Sequence, residues 1–223
     1  MKTKIFIYGA GKIAESVSYY FNRDSDFEIA AYVIDDEFYK EDSFLNKPLL
    51  KLSDINSKFN PKDYKVFVAV GYQSMNAFRA DKYLYFKKLG YNFVSYVSPF
   101  VKGNFAYGEN TIIMDNAIIQ PCANFGNNVF VWGGALVGHH TNVEDNVWLT
   151  GGCLIGGASN IGANSFIGLG AIISNEMIVG AKSLIGANSL VSKNLTEKSV
   201  VLVGNTEPHR LNSEQFVRFS KSF

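Results

Sequence analysis

The sequence predicts a small doubly wound α/β domain followed by a β-solenoid of six-residue repeats and a short tail. Two observations carry this. From Ile113 to Val191 an apolar residue stands at every sixth position (Ile113, Ile119, Phe125, Val131, Val137 and onward without a slip), a spacing that neither a 3.6-residue helix nor a two-residue strand alternation generates. Before Pro99, short runs rich in β-branched and aromatic residues alternate with helical patterns, the order expected of parallel strands joined by helices. The boundaries implied are 1–99 for the α/β domain, 100–204 for the solenoid and 205–223 for the tail.

Lys4 to Tyr8 reads as a buried first strand. It runs into Gly9-Ala10-Gly11-Lys12-Ile13-Ala14, a GxGxxA turn that opens a helix through about Phe21. Such a turn suits a phosphate or other anion at the helix N-terminus. Glu28 to Ile34 is a second strand ending in Asp35-Asp36, about 24 residues after Gly11, where a carboxylate reaches a ribose hydroxyl. A loop containing Pro48 and a short helix begun by Ser53 lead to a third strand, Lys65 to Val70, which stops at Gly71-Tyr72. Ser74 to Leu89 has helical spacing and ends at Gly90; Asn92 to Val97 is the fourth strand. A dinucleotide site needs a second mononucleotide half, and the chain turns to hexads after Pro99. This Rossmann-like half domain is therefore sized for a nucleotide-linked sugar, and the alternative is that the glycines serve only the tight turn.

In the hexads the residue two places before each apolar position is small (Thr111, Ala117, Ala123, Cys153, Ser159 among others), and glycine follows it at 126, 138, 156, 162, 168, 180 and 186. Stacked hexads bury one continuous core that no single repeat encloses alone. The glycines are expected where the bends need positive φ. After Val191 the period fails, since Glu197 takes the next apolar slot; Ser199 to Val203 is expected as a last strand. Beyond it Phe216, Phe219 and Phe223 suit an amphipathic helix packing on the α/β domain or on another subunit.

Lys plus Arg total 21 against 20 for Asp plus Glu, so no basic footprint for nucleic acid and no polybasic membrane patch is present. Neither a cleavable leader nor a run of eighteen apolar residues occurs. The expectation is a cytoplasmic protein without membrane insertion. Cys122 and Cys153 read as packing residues of a reducing compartment rather than as a disulfide or metal pair. The three histidines are His139, His140 and His209. His139 follows the inward Val137 by two positions, so it projects from a bend, and imidazole is the side chain best matched to accepting a proton near neutral pH.

The whole chain resembles the hexapeptide-repeat NeuD/PglD-like sugar acyltransferases of bacterial surface-glycan pathways. The residues that carry the likeness are Ile7-Tyr8-Gly9-Ala10-Gly11 with Asp35-Asp36, Ala69-Val70-Gly71, Gly138-His139-His140-Thr141-Asn142-Val143 and Val203-Gly204-Asn205-Thr206. It implies a left-handed parallel β-helix with three hexads per coil, an exception to the right-handed crossover rule, and a homotrimer with acetyl-CoA between neighbouring β-helices. His139 is the implied general base, with His140 beside it in the catalytic pair. Trp148, Gly152, Gly157, Leu169, Gly170 and Ala187 are the implied acetyl-CoA contacts. Gly9, Gly11, Lys12, Asp35, Asp36, Gly71 and Tyr72 would hold the nucleotide-linked amino sugar. The implied reaction is direct N-acetylation of that amine, with no metal and an oxyanion held by a backbone amide such as that of Gly157.

Three departures stand out. Lys12-Ile13 replaces a Gly-His pair, and Trp132-Gly133 replaces an Asn-Thr pair of the bacillosamine-pathway enzymes. His140 stands where those enzymes carry an acidic residue, which leaves Glu144, Asp145, a neighbouring subunit or a backbone carbonyl to orient His139. The sugar therefore stays open. O-acetylation of a sialic acid or other sugar is the alternative on the same fold. A three-histidine zinc site would need His209 to reach the other two, and a non-catalytic scaffold would not bind acetyl-CoA.

Overall fold

The computed structural model describes residues 2–220. In the N-terminal domain strands β1 (Thr3–Tyr8), β2 (Phe27–Ile34), β3 (Ser43–Phe44), β4 (Lys47–Lys51) and β5 (Lys65–Val68) form one sheet in the order β3-β4-β2-β1-β5. Helices α1 (Lys12–Asp24), α2 (Ile55–Lys58) and α3 (Ala77–Lys88) flank it. β4, β2, β1 and β5 run parallel, which places Gly9, Asp35 and Val70 at one edge, just past the strand ends. Two expectations change. The loop around Pro48 contains a strand, and the fourth strand over 92–97 divides: Phe93 bridges to Val66, while Tyr96–Val97 pairs with Ile112–Ile113 of the solenoid.

The solenoid is a left-handed parallel β-helix. Its two-residue strands pair with those eighteen positions on, as in Asn124–Phe125 with Asn142–Val143 and Leu136–Val137 with Leu154–Ile155, and they build three parallel sheets. Every apolar residue of the six-residue series lies in a single buried cluster. The small residues two places earlier are buried beside it, and their hydroxyls find carbonyls: Thr141 Oγ1 donates to Gly156 O and Ser159 Oγ to Ser174 O. The three outer faces differ. One presents an asparagine ladder (Asn124, Asn142, Asn160), one is aliphatic (Ile118, Leu136, Leu154, Ile172, Leu190), and one is aromatic (Phe130, Trp148, Phe166). The α/β domain docks on the aromatic face, whose Phe130 and Trp148 share one core with Ile5, Ile7, Val17 and Phe67.

The bends correct the expectation for the glycines. The left-handed residue is the one three positions after each inward side chain, and it is most often asparagine, as at 116, 128, 146, 164 and 188. Asparagine enters that region more readily than other side chains because its amide bonds locally. The glycines that follow the inward residues instead allow close approach: a Cβ on Gly168 would lie 2.6 Å from the Ala187 nitrogen of the next coil.

Beyond Val191 the spacing shortens, and Val200–Val201 closes the last coil on Leu184–Ile185. The tail helix α4 (Ser213–Ser220) leaves Phe216 and Phe219 exposed; Phe223 lies outside the described residues. Among the described residues no helix is long and apolar enough to cross a membrane.

Only Cys153 is a packing residue. Cys122 is exposed at a left-handed bend, whereas burial pushes the Cys153 thiol up to about 12. Because the thiolate is the reactive form, a maleimide at pH 8 is expected to label one cysteine in the native protein and both in denaturant. Equal labelling of both in the folded state, read by mass spectrometry, would contradict the buried position.

Candidate active site

Three adjoining hollows lead from the strand ends of the α/β domain to the seam with the β-helix. The first, about 270 Å³, opens at the strand ends between Tyr8–Gly11, Ile34, Asp35, Phe38, Val70 and Phe78. Asp35 accepts from Lys82 Nζ at 2.5 Å, so the carboxylate is held in place with acceptor capacity to spare. Burial first, and then the hydrogen bond to Asp35 and its charge, push the Tyr8 phenol upward and keep it protonated. The second hollow, about 260 Å³, shares Gly9–Gly11 and Val70 with the first and adds Lys12, Ile13, Gly71 and Gln73. It surrounds the start of α1, whose N-cap Gly11 supplies no side-chain cap. The first-turn amides and the positive end of the dipole therefore face an anion-sized space.

The third hollow, about 430 Å³, begins at Ile13 and lies between Tyr72 of the α/β domain and the corner that joins the aromatic and aliphatic faces. Trp132, Trp148, Thr150, Gly151, Phe166, Gly168, Leu169 and Ala187 complete its wall. Trp148 stacks on Phe130 at 4.7 Å between ring centroids, and Tyr72 packs on Phe166 at 4.6 Å. Thr150 spends its hydroxyl on Ile167 O, and Trp132 Nε1 is buried without a hydrogen-bond partner among the described residues.

His139 and His140 occupy a different corner, between the aliphatic and asparagine faces. Coil stacking fixes the backbone there: His139 N donates to Gln120 Oε1, and His139 O accepts from Ala158 N. The imidazole lies on the bare backbone of Gly157, where an added Cβ would come within 2.8 Å of Nε2. Gly157 thus leaves room for the imidazole itself rather than a free groove. Its N–H donates to Asn175 Oδ1 at 2.9 Å, so it is not the open oxyanion donor expected. His140, at a left-handed bend, brings its Nδ1 to 3.1 Å from His139 Nδ1. Glu144 accepts instead from Asn160 and Ala163 N, and Asp145 from Asn127 N. Within the described chain it is therefore His140 that bonds the His139 ring.

Most of the expected site residues converge. Gly9, Gly11, Lys12, Asp35 and Gly71 line the first two hollows, and Tyr72, Trp148, Leu169 and Ala187 line the third. Gly152 and Gly170 take the left-handed positions of the bends at that same corner. Asp36 does not converge: hydrogen bonds from Ser53 hold its carboxyl below the usual range, in a turn outside the hollows. Gly157 belongs to the histidine corner. Sequence reasoning missed Thr150, Phe166 and the contact to Asn175. His209 bonds Leu211 N and packs on Phe216 within the tail, and no group of three or more potential metal ligands occurs among the described residues.

An α/β half domain is thus seated on one face of a hexad β-helix, and its glycine turn leads to an aromatic cleft at the seam. Residues 4–83 match the family model of the PglD N-terminal domain, and the resemblance to NeuD/PglD-like sugar acyltransferases is borne out. Three solved structures share the fold over about nine tenths of the chain. PerB from Caulobacter crescentus, in complex with CoA and GDP-perosamine, is 20% identical with a TM-score of 0.79, covering 91% of this chain and 97% of its own. The acetyltransferase domain of PglB from Neisseria gonorrhoeae, in complex with acetyl coenzyme A, is 21% identical with a TM-score of 0.77, covering 90% and 96%. WeeI from Acinetobacter baumannii is 19% identical with a TM-score of 0.70, covering 90% and 97%. No curated protein matches the chain by sequence.

Proposed function

We propose that the protein is an acetyl-CoA-dependent N-acetyltransferase acting on a nucleotide-linked amino sugar of the dideoxy type, in the synthesis of a bacterial surface glycan. The observation that carries this is the unbroken series of hollows from Asp35 past the α1 N-terminus to the cleft at Trp148, Leu169 and Ala187. In this reading the nucleoside sits against Asp35, the diphosphate meets the first turn of α1, and the sugar enters the aromatic cleft from the Tyr72 side to meet the acetyl-CoA expected at Trp148, Leu169 and Ala187. A wall of indole, phenyl and aliphatic groups favours a sugar stripped of hydroxyls, because each buried hydroxyl needs a partner.

The thioester approaches along the bends at Gly152 and Leu169-Gly170. The sugar amine attacks its carbonyl carbon, His139 Nε2 takes the amine proton, and the C–S bond breaks to release CoA. Direct transfer leaves no acyl-enzyme.

Cleft and imidazole stand at opposite ends of the aliphatic face of one chain. That face is a stripe of exposed side chains, with Ile118 56% and Leu190 60% exposed, and such stripes mark contacts between subunits. A homotrimer joined there would set His139 of one copy against the cleft of the next.

The test is a panel of UDP-, GDP- and dTDP-linked 4-amino-4,6-dideoxy sugars and their hydroxyl counterparts, incubated with acetyl-CoA. The expected result is CoA release with an amino sugar and none with its hydroxyl counterpart. Turnover of the hydroxyl sugars alone would replace the reading with O-acetylation. Failure of acetyl-CoA to raise the melting temperature would remove the enzyme reading, since binding to the native state must stabilise it.

A further inference from the structure

Arg79, in the first turn of α3, is fully buried and makes no ion pair among the described residues. Its Nη1 donates to Gly71 O at 3.2 Å and Asn76 Oδ1 at 2.8 Å. Its Nη2 donates to Asn128 O at 3.2 Å and Asn146 O at 2.9 Å. The first two acceptors belong to the loop after β5, and the other two to consecutive coils of the β-helix. The guanidinium carbon also lies 4.9 Å from the Phe130 ring centroid and 5.0 Å from that of Trp148. Nε has no partner.

Burying an unpaired cation is costly, and burial pushes the Arg79 guanidinium down to about 9, so it still carries charge at neutral pH. An apolar side chain would fill the volume without that cost. What it could not do is join both domains through a rigid planar fork.

The loop that Arg79 holds is itself strained. Ser74, Met75 and Asn76 are all left-handed, with φ of 51, 54 and 64°, a run that L-residues avoid unless the surroundings impose it. Asn76 is fully buried and anchors the turn by donating from Nδ2 to Asn164 O and Ser165 O of the β-helix. The loop delivers Tyr72, whose ring forms one wall of the aromatic cleft and meets Trp148 at 5.6 Å. Arg79 therefore touches both walls: Gly71, the residue before Tyr72, and the Trp148 ring.

We propose that Arg79 is a positioning residue that sets the separation of Tyr72 and Trp148, and so the acceptor sugar that the cleft admits. The term acceptor sugar rests on the function proposed above; the separation of the walls does not. Trp132 and Trp148 are the protein's two tryptophans, and both line the cleft. Their emission therefore reports on the cleft directly.

The experiment compares Arg79→Met, Arg79→Lys and Asn76→Gly with the wild type, all as the full chain. Arg79→Met is expected to shift tryptophan emission to the red and to raise KM for the amino sugar identified in the panel by about tenfold or more, with kcat and the KM for acetyl-CoA little changed. Arg79→Lys is expected to recover part of both effects. Asn76→Gly, which relieves the left-handed strain while removing the anchor, should move the same readouts in the same direction even if Arg79→Met does not fold. Unchanged emission, or a fall in kcat that follows the folded fraction with KM constant, would overturn the assignment and leave Arg79 a purely structural pin. If no sugar turns over with the wild type, the proposed function fails, while the emission of the three variants still decides the role of Arg79.

Discussion

Replacing His139 by alanine is expected to lower kcat for acetyl transfer by about 10²–10⁴-fold, the usual contribution of a general base, while acetyl-CoA binding measured by calorimetry stays within a factor of two or so of the wild type. The Nδ1 to Nδ1 contact with His140, at 3.1 Å, explains why the loss should fall on kcat. Two ring nitrogens at that distance share one proton, and only when His139 is the donor is its Nε2 free to accept. On taking the amine proton His139 becomes a cation that still donates to a neutral His140. That arrangement steadies the ring as an acidic neighbour would, with less charge stabilisation. Hence His140→Ala should cost roughly ten- to a hundredfold, the worth of one hydrogen bond to a charged group, and less than His139→Ala. Equal losses for the two would contradict this division of roles, and full turnover by His139→Ala would remove the imidazole from the chemistry.

The parts of this picture that were legible in the sequence are those fixed by a local period. Burial in the β-helix depends only on which hexad slot a residue fills, so the series from Ile113 to Val191 forms the core as the spacing predicts. A second period was present and not read. Outward slots eighteen apart carry Phe130, Trp148 and Phe166 on one face, asparagines on another and aliphatics on the third, and the aromatic set already marks the face on which the α/β domain docks. The recurring asparagines at the left-handed bends were equally readable. β4 was hidden because Pro48 argues against a strand, yet proline is tolerated near a strand's beginning, and the parallel ladder to β2 is carried by Leu49 to Lys51. Arg79 gave no local signal. An arginine in the first turn of a helix looks solvated, and only the meeting of two domains buries it. Nor could spacing reveal that the imidazole itself lies over Gly157, because this depends on a ring orientation that no periodicity encodes.

Mixing two inactive variants is expected to restore activity, and this is the sharpest consequence of the trimer proposed above. His139→Ala lacks the base but keeps the cleft. Ala187→Trp keeps the base and fills the cleft at an exposed position of its wall, where added bulk leaves the core undisturbed. Each should be nearly silent as a homo-oligomer. In a ring of three joined by one repeated contact, each site draws its imidazole from one copy and its cleft from the next. With the two chains co-expressed in equal amounts, about one site in four then combines an intact His139 with an intact cleft, so activity should return to about a quarter of the wild-type value. If each chain held a complete site of its own, every site would carry a lesion and the mixture would stay silent. The aliphatic face supplies the control. Ile172→Asp puts a carboxylate into the middle of the exposed stripe, where burial against a neighbour would leave the charge unpaired. It should dissociate the assembly by light scattering and abolish the restored activity, with the α/β domain still able to bind nucleoside diphosphates. Full activity from dissociated Ile172→Asp monomers that keep both His139 and Ala187 would show that base and cleft meet within one chain.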